Sequence, residues 1–299
     1  MTVGSIISGG FGLIRRRPGA VAVWGLIYLA VTVLMGFAMR SLMGSVASTM
    51  SQGRPGILAG FGATMGQVLL IELAALIVLL VIMAATQRAV LHPEREDFAY
   101  LRLGMDELRL VGLGLILLIL TYIGVLIAGI LLTLLAGIVA VAAGPGAAVP
   151  VGMVEMLIIL GLLLWIEVRL SLAFPLTMLR GKIIIGESWR VTKGRFWTLF
   201  GAFLILFLIL LVLWIAVALV TSGGYFADLA QSGFTPQGMQ AAGQRQMERQ
   251  FGAITPLAVL GWVLTSLVGT LNLVVFGGAI ATAARELVDD PNTLADTFA

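Results

Sequence analysis

The chain has 299 residues, of which 60% are hydrophobic and only 11% charged, and its mean hydropathy is +1.09. Soluble domains carry about a quarter charged residues, so this composition excludes an ordinary water-soluble globule and points to an integral membrane protein. The lack of cysteine excludes disulfides, thiolate metal sites and a cysteine nucleophile, and a net charge of only +3, spread along the chain, argues against nucleic acid as a partner.

About 20 apolar residues cross the hydrocarbon layer as a helix. Six such stretches occur, at residues 20–43, 67–90, 110–142, 151–179, 197–222 and 254–283. The expected fold class is therefore all-α: a polytopic membrane protein with six transmembrane helices, forming one integral membrane domain over residues 1–299. The first stretch follows Arg15, Arg16 and Arg17 and imitates a secretory signal. It outruns the apolar core of such a signal, and five more spans follow, so it reads as an uncleaved helix. The connection from Thr221 to Ile254 is the longest soluble piece, and "GMQAAGQRQMERQF" within it reads as a short helix.

Cationic side chains near span ends are retained on the cytoplasmic side, so the connections orient the chain. Thirteen of its eighteen Lys and Arg fall in alternate segments: Arg15–Arg17; Arg88, Arg95, Arg102 and Arg109; Arg180, Lys182, Arg190, Lys193 and Arg195; and Arg285. The other segments hold Arg40, Arg54, Arg245 and Arg249, with Arg169 inside a span. Both termini are expected in the cytoplasm.

Each arginine-rich segment leads into an odd-numbered span through a mixed stretch: "GLIRRRPGAVAVWG", "FAYLRLGMDELRLVGLG" and "ESWRVTKGRFWTLFGAF". Each following span returns with an Arg before a Pro: Arg88 and Pro93, Arg169 and Pro175, Arg285 and Pro291. The pattern reads as three tandem units, 9–95, 96–182 and 183–299, each a surface helix followed by a transmembrane hairpin. On a helical wheel Trp189, Phe196 and Phe200 share one face of the third surface helix, and Phe98, Leu101, Met105 and Leu108 share one face of the second. Arg102, Asp106 and Arg109 follow the border of the second at spacings where opposite charges pair. Such helices lie in the membrane interface or pack on the protein's own helices. The interfacial reading makes Trp189, Arg190, Lys193, Arg195 and Trp197 candidate lipid contacts, with indoles at headgroup depth and cations facing anionic lipid.

The run "EVRLSLAFPLTMLRGKIIIGESWRVTKGRFW", Glu167 to Trp197, resembles the core of the bacterial glycerophosphoryl diester phosphodiesterase membrane-domain family. There a span ends in an Arg-containing stretch with a Pro, and a "SW-x-x-T-x-G-x-x-W"-like helix follows. The matching positions are Arg169, Pro175, Ser188, Trp189, Thr192, Gly194 and Trp197, within some thirty residues; the rest agrees in hydropathy and span count. The resemblance implies a multi-pass protein of a bacterial inner membrane. Members fused to a soluble phosphodiesterase domain differ from this chain, in which no such domain occurs, so no catalysis carries over.

The residues themselves offer little chemistry. His92 is the one histidine, and H-E-x-x-H, G-x-S-x-G and phosphate-loop motifs are missing, so neither enzyme activity, metal nor cofactor is expected. Four charges lie within spans, where burial in lipid is costly: Glu72, Glu155, Glu167 and Arg169. Glu72 and Glu155 sit about one turn below the outer face. Glu167 and Arg169 project about 160° apart and cannot pair with each other; Glu286, Glu107 and Glu187 are candidate partners for Arg169. Glycines at 56, 60, 62, 66, 124 and 129 offer surfaces for close helix approach, and Asn272 a hydrogen bond across helices. The expected function is a scaffold or lipid-contacting module in envelope or lipid homeostasis, with membrane lipids, including anionic ones, as partners. The alternative is a small transporter or channel using the intramembrane acids.

Overall fold

The computed structural model describes residues 1–51, 57–94, 98–102, 104–144 and 148–288, with side chains described except at 46–51, 57–64, 140, 143, 148–149 and 251. Arg54, Gly56, Arg95 and Pro291 lie outside the described residues, as do the surroundings of Gly60 and Gly62. The elements are α1 (Val3–Arg16), α2 (Pro18–Ser51), α3 (Ile57–Leu91), a 3-10 turn (Phe98–Tyr100), α4 (Met105–Ala143), α5 (Ala148–Leu170), α6 (Ala173–Arg180), α7 (Gly186–Val191), α8 (Phe196–Gln231), α9 (Pro236–Phe251) and α10 (Pro256–Val288). No strand occurs among the described residues. Among the described residues six stretches are long and apolar enough to cross a membrane: Pro18–Ser45, Met65–Leu91, Phe98–Val139, Pro150–Arg180, Phe196–Gln231 and Pro256–Val288. The chain is an all-α, multi-pass membrane protein.

Two compact units divide the chain, one of residues 7–102 and 203–278, the other of residues 1–6, 103–202 and 279–299. In the first, α10 is the organising helix. A Cβ at Gly10 of α1 would lie 2.6 Å from the Val275 carbonyl, and one at Gly278 would lie 3.2 Å from the Gly10 Cα, so α1 and α10 cross backbone to backbone. Gly269 of α10 gives room to Tyr28 of α2, Gly277 to Thr86 of α3, and Gly261 to Thr221 of α8. Helix association in lipid depends on such close approach. These are not the glycines expected from the sequence: Gly66, Gly124 and Gly129 have nothing within 4 Å of a Cβ position. The half-buried Asn272 also makes no side-chain hydrogen bond among the described residues.

The core of this unit is formed by Leu13, Trp24, Ile82, Ala85, Ala89, Tyr100 and Val274. It fixes the connection after α3, where the second surface helix was expected. Ala99 and Tyr100 instead take left-handed backbone, with φ of 50° and 60°. The strain is held by partners: Trp24 Nε1 donates to the Ala99 carbonyl at 2.9 Å, and Arg88, 8% exposed, donates to the Tyr100 carbonyl. The stretch expected as a surface helix thus splits into this turn and the first turns of α4.

In the second unit, α4 starts where Glu107 reaches back to the Gly104 N–H at 2.9 Å, half of a capping box. Arg109 pairs with Asp106 at 2.9 Å, as their spacing predicts. Helices α4 and α5 form a hairpin whose large apolar side chains are exposed from Leu115 to Val141 and from Met153 to Trp165, a surface suited to acyl chains. The expected fourth span, 151–179, is two helices. Ser171 turns its hydroxyl onto the Val168 carbonyl at 2.9 Å, and Pro175 has no N–H for Ser171, so α5 stops and α6 starts afresh.

Candidate functional site

The run from Glu167 to Trp197 converges on the end of α5. A helix leaves its last carbonyls without intrahelical donors. Here the Arg169 carbonyl accepts from Ser188 Oγ at 2.9 Å, with Thr192 Oγ1 3.3 Å away and its single proton nearer the Ser188 carbonyl, at 2.8 Å; both side chains are fully buried. The Arg169 guanidinium lies over two indoles, 5.7 Å from the ring centroid of Trp165 and 5.5 Å from that of Trp189. Its Nη1 donates to the Trp189 carbonyl at 3.4 Å, and the indoles meet edge to face at 4.9 Å. Trp165 stands one helical turn before Arg169, so the sequence of α5 itself supplies half of this cage.

A carboxylate partner for Arg169, expected from the cost of a buried cation, is not found among the described residues. Glu286 accepts from Ser5 at 3.0 Å, Glu187 pairs with Arg180 at 3.0 Å, and Glu107 caps α4. The electron-rich indole faces and a carbonyl stabilise the charge instead. Glu167 is exposed on the opposite face of α5, and Glu72 is exposed on α3. Glu155 is half-buried, with its Oε1 buried and unpartnered. It lies twelve residues from Glu167 on one helix, about 18 Å at 1.5 Å per residue. Among the described residues no three His, Asp or Glu are grouped to hold a metal ion.

"SWRVTKGRFWTLF" is not one helix. The backbone turns at Thr192–Arg195, with Gly194 at φ 80°, a conformation glycine adopts without steric cost. Trp189 therefore does not share a helical face with Phe196 and Phe200. It packs on α5, whereas Phe196, Trp197 and Phe200 form their own aromatic cluster at the start of α8, with Phe196 and Phe200 stacked at 5.7 Å. Trp197 is 77% exposed and Trp189 37%; Arg190 and Lys193 are exposed and Arg195 is half-buried. The result is a compact joint with indoles and cations outward and two hydroxyls inward.

A second site, in the unit of residues 7–102 and 203–278, escaped the sequence reading. Helix α8 runs to Gln231, beyond the expected end at 222, because Asp228 is held by α9: Arg245 Nη1 at 3.0 Å and Arg249 Nη2 at 2.9 Å. Helix α9 starts at Thr235, whose hydroxyl accepts from Gly238 N–H at 3.2 Å, followed by Pro236. Arg249 borders a cavity of about 310 Å³ between α2, α8, α9 and α10, walled by Met35, Met39, Trp262 and three threonines. The signal in the sequence was the i, i+4 spacing of Arg245 and Arg249; nothing in it pointed to Asp228 as their shared anion.

Comparison of the chain with protein-family models, with curated proteins and with solved structures found no match.

Proposed function

We propose that the protein is a non-catalytic, lipid-contacting module of a bacterial inner membrane, with both termini cytoplasmic, serving envelope or lipid homeostasis. The observation that carries this reading is the joint at Arg169: a turn pinned from inside by Ser188 and Thr192 presents Trp189, Trp197, Arg190 and Lys193 outward. Indoles favour headgroup depth, and each cation near an anionic surface contributes about 1 kcal/mol. The excess of Lys and Arg in the same set of connections supports the orientation. The motif resemblance of residues 167–197 supports the bacterial setting.

The test uses the full chain in vesicles that mix phosphatidylglycerol and phosphatidylcholine, with bromine on the chains of one lipid at a time. Bromine quenches nearby indoles, and the Trp197 share is read as the difference from a Trp197→Phe variant. Brominated phosphatidylglycerol is expected to quench Trp197 more than an equal fraction of brominated phosphatidylcholine. Replacing Arg190, Lys193 and Arg195 together by Gln should abolish that difference. Equal quenching by the two lipids in the unmodified chain overturns the reading.

A further inference from the structure

The cavity beside Arg249 has the shape and charge of a ligand site. Asp228 carries one negative charge between two guanidinium groups, at 3.0 Å from Arg245 and 2.9 Å from Arg249, so the cluster keeps one uncompensated positive charge. The position of Arg249 is built in. A Cβ on Gly224 of α8 would fall 2.5 Å from its Nη1, so the glycine leaves room for the guanidinium against α8. Below the cation the walls turn apolar, with Met35 and Met39 from α2 and Trp262 from α10, whose indole rests on Gly36 at 3.0 Å from a Cβ position. Thr32 and Thr221 spend their hydroxyl protons on their own helices, at 2.9 Å each, and retain lone pairs. Thr265 makes no side-chain hydrogen bond among the described residues.

Depth narrows the ligand further. The lining residues come from the second half of the α2 span, from Thr221 of α8 and from the first three turns of α10, the half of these spans nearest the α8–α9 connection and its charges. At about 30 Å³ per water, 310 Å³ holds about ten waters, enough for a headgroup and the first chain carbons but not for a whole two-chain lipid. A zwitterionic headgroup brings its own cation next to Arg249, whereas a singly anionic phosphodiester does not.

We propose that this cavity binds the phosphodiester headgroup of an anionic membrane lipid, with Arg249 on the phosphate and Trp262, Met35 and Met39 against the first acyl carbons. The site shares with the proposed function only its membrane setting. It uses none of the residues of the Arg169 joint, so either can fail alone.

The experiment titrates the full chain, purified in neutral detergent, with phosphatidylglycerol, phosphatidylcholine or glycerol 1-phosphate and reads bound species by native mass spectrometry. One tight phosphatidylglycerol site is expected, about tenfold tighter than for phosphatidylcholine, as for loss of one charge-assisted contact. Ala258→Phe fills the cavity without touching a charge and should remove the tight site; thermal melting in the absence of lipid checks its fold. Arg249→Gln should weaken it about tenfold, while Arg40→Gln, exposed and outside the cavity, should leave it unchanged. The site should persist in the Arg190, Lys193 and Arg195 triple Gln variant, which separates it from the joint. Equal binding of the two lipids by the unmodified chain overturns the proposal, as does a tight site surviving in both the Ala258 and Arg249 variants. Displacement of phosphatidylglycerol by equimolar glycerol 1-phosphate would make the ligand a soluble phosphate and overturn the lipid assignment.

Discussion

Arg169 and Trp189 hold each other twice: the guanidinium lies 5.5 Å from the indole centroid, and its Nη1 donates to the carbonyl of the same tryptophan. Ser188 returns the grip on the Arg169 carbonyl, with the Thr192 hydroxyl 3.3 Å from it. A break between α5 and α6 would otherwise leave an uncapped helix end, and the joint closes it with residues twenty positions on. Arg88 does the same after α3, donating to the Tyr100 carbonyl. In both connections an arginine near the end of a span fixes an aromatic residue of the segment that follows, although one segment holds a single 3-10 turn and the other a six-residue helix.

Replacing Arg169 by Ala should therefore lower thermal stability in detergent by about 1–2 kcal/mol, the scale of a partly desolvated cation–π contact with its hydrogen bond. Arg245→Ala should cost less, because Arg249 stays on Asp228. Arg169→Lys should recover only part of the loss, since an ammonium lacks the flat face that covers both rings. The check is a melting series with a Trp189→Ala double-mutant cycle. Additive losses would mean the indole contact contributes nothing.

Ser188→Ala and Thr192→Val test the cap. When Ser188 is lost, Thr192 can turn its one proton from the Ser188 carbonyl, at 2.8 Å, to the Arg169 carbonyl, so each single variant should cost about 1 kcal/mol, and the double variant should cost more than the sum because the carbonyl is then buried without a donor. A strictly additive double variant would place the carbonyl in contact with another donor.

Gln87 is fully buried, and neither its Oε1 nor its Nε2 has a partner among the described residues. An unpaired buried amide costs about 1–3 kcal/mol, so Gln87→Leu should hold or raise the melting temperature. A loss of stability would reveal a bound water or ligand on that amide.

The orientation is checked with single cysteines in a chain that has none. Gln237→Cys, on the exposed start of α9, should react with an impermeant maleimide in intact cells, and Lys193→Cys only in inverted vesicles. The reverse pattern would invert the charge rule for this chain.

Six spans were legible because a run of 20 apolar residues has few other fates, and Arg169 stood out as a charge within a span in need of a partner. Its partner was not, because pairing by charge sign favours carboxylates, whereas the neighbours that fold brings to α5 are indoles. The helical wheel over residues 188–200 failed at one residue: Gly194 in a left-handed turn resets the phase, and Phe196 then starts a new helix. The Arg249 cavity was hidden because one of its walls comes from α2, far in sequence from the α8–α10 segment that forms the rest.

Glycine gave the opposite lesson and the last test. Gly124 and Gly129 stand in an apolar span as small surfaces that suggest packing, yet a Cβ there meets nothing within 4 Å. Gly10 and Gly278, one of them in a short amphipathic helix, mark the place where α1 and α10 touch backbone to backbone. The difference lies in what crosses the helix, which spacing within one helix does not encode. Gly10→Ala forces a methyl against the Val275 carbonyl, where no side-chain rotation relieves it, and should cost about 1–3 kcal/mol, as overpacking does. Gly124→Ala and Gly129→Ala should be neutral or stabilise by up to about 1 kcal/mol, the helix-propensity gain over glycine. Melting temperatures in detergent decide it. If Gly10→Ala proved as harmless as Gly124→Ala, the α1–α10 crossing would not be the tight contact on which α10 organises its unit.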